Sequence, residues 1–172
     1  MKMTDLLLAE LAAEAPTTRR LLERVPEGKN DWKPHPKSMA MGYLAALVAR
    51  MPAWVAMTIN QDELDLKPAD GSASKYTPTP QSSSRDLVRL FDQSVEEART
   101  ALKGTTDAHL LTTRWRLLIG GHVVSDQPRH EVLRSSINHF AHHRGQLTVY
   151  LRLNDAPVPS IYGPTADERS FG

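Results

Sequence analysis

The chain has no cysteine. Disulfides and thiolate metal sites are therefore excluded, and any metal would rest on histidine, carboxylate, carbonyl or water. A cysteine-free composition fits a reducing compartment. Charge of one sign is also lacking: 21 Lys and Arg stand against 20 Asp and Glu, a formal net charge of +1. With no dense basic stripe interleaved with aromatics, the expectation is no nucleic-acid partner. No apolar run approaches membrane-spanning length, and the first residues lack the charged-apolar-small layout of a signal peptide, so no membrane role and a cytoplasmic location are expected. Its 172 residues suit one domain, 1–172, with a core large enough to need no staples.

What is present is helical periodicity broken by proline. Thr4 or Asp5 opens a first helix on Leu7, Leu11, Ala15, Leu22 and Val25, with a kink or break expected at Pro16. Pro26-Glu-Gly28 stops it, and a Pro-rich connection over 30–37 places Trp32 over a bundle end. Ser38 opens a second helix carrying Leu44, Leu47 or Val48, Met51, Val55 and Ile59, with another kink at Pro52. Residues 61–83 read as a long loop. A third helix, capped by Ser84 or a neighbour, presents Leu87, Phe91, Val95, Ala98 and Leu102 and stops at Gly104. Residues 107–128 read as irregular, with a small hairpin turning at Gly120-Gly121. That Gly pair is a turn and not a phosphate cradle, because no strand–Gly-loop–helix pattern or Lys-Ser/Thr follows. The last helix runs from Pro128 past Leu153 on Leu133, Ile137, Phe140, Leu147 and Leu151, and the tail after it is irregular.

These elements predict an all-α four-helix bundle. The length of the 61–83 connection lets helices 2 and 3 run parallel, giving up-down-down-up, with the small hairpin before the last helix.

Three of the seven histidines fall within five residues: His139, His142 and His143. Positions i and i+4 share a helix face, so His139 and His143 can present two imidazoles to one point, and neutral imidazole is a common ligand for zinc or nickel. A catalytic ion usually needs a third protein ligand. Set against this, two histidines one turn apart are often simple polar residues on a half-buried face. Gly145 within the same helix suggests close packing or ligand access, and Arg144 is read as a salt-bridge partner between helices or within its own. His35, His109, His122 and His130 are isolated, while Trp54 and Trp115 are core or cavity wall.

The run His139-Phe-Ala-His-His143-Arg-Gly-Gln146-Leu-Thr-Val-Tyr150, followed by Pro157-Val-Pro159 and Tyr162-Gly-Pro164, resembles the last helix and tail of the DinB/YfiT-like family. Thr18 to Pro26 and Trp32 to Ser38 resemble that family's first helix and connection. The resemblance implies a four-helix bundle, commonly a homodimer, with a three-histidine zinc or nickel site in its core. It further implies a small-molecule substrate and, in part of the superfamily, S-transfer or isomerisation dependent on a low-molecular-weight thiol. His139 and His143 match the family's pair on the last helix. The third ligand should come from the second helix, and there the matching residue is Leu47, which cannot coordinate a metal.

Three outcomes stay open. The site binds no metal; another donor (His122, His130, His35 or a carboxylate of 61–83) replaces the missing one; or two histidines and water hold an ion weakly. The function expected is thus a divalent-metal-dependent thiol S-transferase or related hydrolase-like enzyme with an incomplete site. The alternative is a metal-free, non-catalytic bundle that binds a small apolar ligand or a protein partner.

Overall fold

The computed structural model describes residues 2–69, 71–72 and 77–169. Among them are six helices, α1 (Met3–Glu23), α2 (Met41–Arg50), α3 (Ala53–Asn60), α4 (Ser84–Gly104), α5 (Asp107–Thr112) and α6 (Arg129–Arg152). Three strands accompany them: β1 (Glu63–Asp65), β2 (Arg114–Ile119) and β3 (His122–Pro128).

The expectation of an all-α four-helix bundle is overturned by that sheet. Its order is β1-β2-β3, with β1 parallel to β2 and β2 antiparallel to β3, so the fold is helix-rich but mixed. The hairpin lies where the sequence placed it. Gly120 and Gly121 turn it with φ of 61° and 78°, the left-handed pair a tight hairpin turn requires. The strand that was missed is β1, inside the supposed loop. Three residues are too few to show period-two alternation, and β1 forms because Asp65 is held from outside. Its carboxylate accepts the backbone N–H of Gly120 at 3.0 Å and of Gly121 at 2.7 Å, which ties the strand to the hairpin turn.

Helix boundaries follow local chemistry. The second helix read from sequence is two, α2 and α3, bent by 52° at Met51-Pro52 as the proline predicts. At Pro16, where a kink or break is expected, α1 runs on without a break, and the Thr18 hydroxyl donates to the Glu14 carbonyl at 2.9 Å one turn back. The N-cap of α1 is Lys2, ahead of Thr4 and Asp5, and the Asp5 carboxylate reaches back to accept the Lys2 N–H at 3.4 Å. Asp107, distant in sequence, accepts the N–H groups of Met3 at 2.8 Å and Thr4 at 3.1 Å. Ser83 caps α4 through Asp86 N–H, one residue before the helix begins.

The core has two connected regions. Leu21, Leu22, Met41, Leu44, Phe91, Leu147 and Leu151 centre the larger one, and Val55, Ala98, Leu102, Leu110 and Leu133 the smaller. A fully buried leucine contributes about 2 kcal/mol by leaving water, and Leu44, Leu133 and Leu147 have no exposed surface at all. Phe91 on α4 stacks on Phe140 of α6, with ring centres 6.4 Å apart. Trp32 meets Tyr150 edge-on at 5.5 Å, at the α6 end of the larger region. Among the described residues no single helix is long and apolar enough to cross a membrane.

A candidate histidine-edged cavity

Helix α6 brings the two sequence-predicted histidines together. Their Nε2 atoms stand 2.8 Å apart and the ring centres 4.5 Å apart. His143 is buried, whereas His139 is exposed. The pair therefore reaches from the core toward solvent, and does not lie wholly inside a bundle as the resemblance implies. Gln146, one turn further on, decides the proton positions. Its Oε1 accepts from His143 Nδ1 at 2.8 Å, and its Nε2 donates to the Nε2 of His142 at 3.0 Å. With its proton on Nδ1, neutral His143 offers a lone pair at Nε2, and His139 Nε2–H donates to it. Although the residue as a whole is exposed, partial desolvation of its ring holds the His139 imidazole below its ordinary pKa, and the neighbouring His143 and His142 rings lower it further.

His139 also lines a cavity of about 510 Å³ between the helices and the sheet. Tyr43 and Leu47 of α2, Trp54 of α3, and Trp115 of β2 contribute to its wall. The Trp54 ring leans on the His139 ring at 5.5 Å. Trp54 and Trp115, read from sequence as core or cavity wall, do line it, but its extent was hidden, because six of the fourteen described wall residues belong to the sheet and to the connection that follows β1.

The wall is positioned by a residue sequence reasoning missed. Arg129, the first residue of α6, is 2 % exposed. Its guanidinium donates to the carbonyls of Thr58 and Gln61 (2.6 Å to the latter), to the Asp62 carboxylate and to Thr113 Oγ1 at 2.7 Å. One cation thus satisfies carbonyls at the end of α3, which no helical N–H can reach, and ties α3 to the junction of α5 and β2 and to the start of α6. A buried basic residue one step past a proline was the only available signal. Arg144 is likewise buried, and it forms the inter-helix ion pair expected of it, with Glu14 of α1. It also donates to Thr18 Oγ1 at 3.0 Å and to the Tyr162 hydroxyl, fastening the tail to α1 and α6.

The residues do not fit a three-histidine metal centre. Two imidazoles on a tetrahedral ion stand about 3.3 Å apart, so this pair would open slightly and His139 would lose its Nε2 proton. Gln146 on His143 Nδ1 is the outer hydrogen bond a ligating histidine normally has. The third donor is what fails, because Leu47 occupies the cavity wall alongside His139. Among the described residues no group of three or more His, Asp or Glu side chains is placed to hold an ion. The candidate replacements are elsewhere. His35 Nδ1 accepts Lys37 N–H, His122 sits beside the hairpin turn, and the His130 Nδ1 is buried without a partner. The carboxylates of Asp62, Glu63 and Asp65 bind Arg129, Arg116 and the Gly120-Gly121 backbone. Asp70 lies outside the described residues. Gly145 meets nothing within 4 Å of an added Cβ, so close packing does not explain it.

Fold and site together define a helix-rich mixed α/β protein with a histidine pair on the edge of an internal cavity. The chain belongs to the DinB family, whose model matches residues 1–170. It is 32 % identical over 91 residues to the uncharacterized protein YrdA of Bacillus subtilis, a match covering 53 % of this chain and 51 % of that one. The chain thus spans about half the length of that curated relative. Its fold is similar to that of a DinB-like protein from Bacillus cereus, with a TM-score of 0.66, 23 % identity, and coverage of 91 % of this chain and 95 % of that one. A DinB-like protein of Bacillus subtilis, YjoA, gives 0.65 at 19 % identity, covering 96 % and 99 %.

Proposed function

We propose that this DinB-family protein binds a small molecule in the cavity between α2, α3, α6 and the sheet, with the His139–His143 pair at its edge. The observation that carries the reading is Leu47. Where the resemblance implies a metal ligand, an apolar side chain shares the wall with His139, so the space recognises a ligand directly. Its volume of about 510 Å³ lies in the range of small-molecule sites, which are mostly apolar with a few placed polar groups. The test uses the uncharged fluorophore prodan. Saturable, blue-shifted emission that weakens in Val132→Trp, a wall substitution that narrows the space, supports the reading. Emission that never saturates, or that is unaltered in the narrowed variant, contradicts it.

The convergence of the two Nε2 atoms and the Gln146 anchor favour a second reading. Here a zinc or nickel ion is held by His139 and His143 and completed by a donor from solution such as a small thiol, in line with the thiol-dependent S-transfer that the family resemblance implies. Metal analysis of untagged protein, repeated on His139→Ala, tests it. Stoichiometric metal that the substitution removes supports it, and metal content that does not depend on His139 rules it out.

A further inference from the structure

Both polar side chains that α6 lends to the cavity have already spent their protons. We propose that the cavity takes an uncharged ring compound carrying a hydrogen-bond donor, such as a phenol-type hydroxyl, and that His139 Nδ1 receives that donor. The proposal rests on the reading of the cavity as a ligand site.

Ser136 and His139 stand one turn apart on α6, and both line the space. His139 is exposed and Ser136 half-buried, so both are open to a ligand. A neutral imidazole has one donor and one acceptor nitrogen. His139 gives its single proton, on Nε2, to Nε2 of the buried His143 at 2.8 Å. The only nitrogen the ring can offer a ligand is therefore Nδ1, which carries a lone pair and has no hydrogen-bond partner among the described residues. Ser136 behaves alike. Its hydroxyl donates to the Val132 carbonyl at 2.9 Å, leaving only lone pairs for anything else.

The acceptor character of Nδ1 is set at a distance. Gln146 Oε1 accepts from His143 Nδ1 at 2.8 Å, His143 Nε2 is left with a lone pair, and that lone pair claims the His139 proton. Gln146 is not among the described wall residues and acts as a positioning residue.

The remaining wall supplies no competing donor of fixed role. The indole nitrogens of Trp54 and Trp115 are themselves buried and offer a ligand no accessible N–H. The Tyr43 and Thr77 hydroxyls can donate or accept. No lysine, arginine, aspartate or glutamate is among the described wall residues, so a charged donor such as an ammonium would lose hydration without gaining a counter-ion. The Trp54 ring, 5.5 Å from that of His139, sets aromatic surface beside the acceptor. A donor attached directly to a planar ring meets both at once.

Three naphthalene probes separate these features in the full-length protein. They are 2-naphthol, a neutral donor; 2-methoxynaphthalene, the same ring with that donor methylated; and 2-(aminomethyl)naphthalene, a cation at neutral pH. Dissociation constants come from ligand-observed NMR. The naphthol is expected to bind on the order of tenfold more tightly than its more apolar methyl ether, with the cation weakest. His139→Phe, which keeps a flat ring and removes the acceptor, should abolish that advantage. Ser136→Ala and Gln146→Leu should each reduce it while leaving the ether's affinity unchanged. In nitrogen NMR of the imidazoles, the unprotonated Nδ1 of His139 should shift with the naphthol and not with the ether. Should His139→Phe fail to fold, Ser136→Ala and the Nδ1 signal decide. An ether that binds as tightly as the naphthol, or an advantage that survives His139→Phe, overturns the donor assignment and leaves the cavity a ligand site. Tightest binding by the cation overturns the assignment of an uncharged ligand. If none of the three binds, the cavity reading falls as well.

Discussion

Gln146 Oε1 accepts from the Nδ1 of His143 at 2.8 Å, so in its neutral form His143 meets His139 with a lone pair at Nε2. One amide thereby fixes the tautomer of a buried ring and, through it, the donor role of the exposed one. The arrangement is tuned for two neutral imidazoles, because a proton added to either ring sets positive charge beside its neighbour.

The pH dependence follows with a definite sign. Burial and the adjacent rings hold the His139 pKa below the ordinary imidazole value of about 6.5. The unfolded chain then binds this proton more readily than the folded one. The contribution to stability is complete above about pH 6.5, declines as pH falls through that value, and levels off below the folded-state midpoint. An NMR titration of the His139 ring should give a midpoint under 6.5, and His139→Gln should flatten the melting temperature across that acid window. A midpoint at or above the ordinary value would contradict the hydrogen-bonded neutral pair.

Leu47 and His139 border one cavity, so a histidine at position 47 can share a point with the pair. Leu47→His is expected to tighten zinc or nickel binding on the order of a hundredfold, as read by competition with a chromogenic chelator. The gain should vanish when His139→Ala is added. No gain in the single variant would mean that residue 47 does not face the histidines.

Two glycines on helices should respond in opposite directions to alanine. A Cβ at Gly145 meets nothing within 4 Å, so Gly145→Ala gains helix propensity and raises stability by about 1 kcal/mol. A Cβ at Gly42 would lie 2.5 Å from Asn30 Oδ1 and 2.9 Å from Asn30 Cβ. Asn30 is itself held by a bond from its Nδ2 to the Gln81 carbonyl at 2.9 Å, so it cannot step aside freely. Gly42→Ala is therefore expected to cost about 1–3 kcal/mol. Chemical denaturation of both variants checks the pair of signs.

What could be read from the sequence was what depends on near neighbours in the chain. The i,i+4 spacing of His139 and His143 was sufficient to predict that their rings meet, and Pro52 to predict the bend between α2 and α3. The Gly120-Gly121 pair marked the hairpin. Features made by distant partners were not legible: Asp107 capping α1, Asp65 holding β1 to the hairpin turn, and Arg129 gathering the end of α3. The assembly of the cavity is of the same kind, since Trp54 and Trp115 come from a helix and a strand with β1, α4 and α5 between them in sequence. The all-α expectation failed for that reason, and the wall that β1 and β2 supply was lost with it.

The most direct measurement is the shift of the three tryptophan indole N–H resonances as prodan is added. Trp54 and Trp115 line the cavity, and Trp32 packs against Tyr150 elsewhere in the core. The account predicts that the Trp54 and Trp115 signals move together and saturate while Trp32 stays in place. Movement of Trp32 alone, or no saturable movement of the other two, would contradict it.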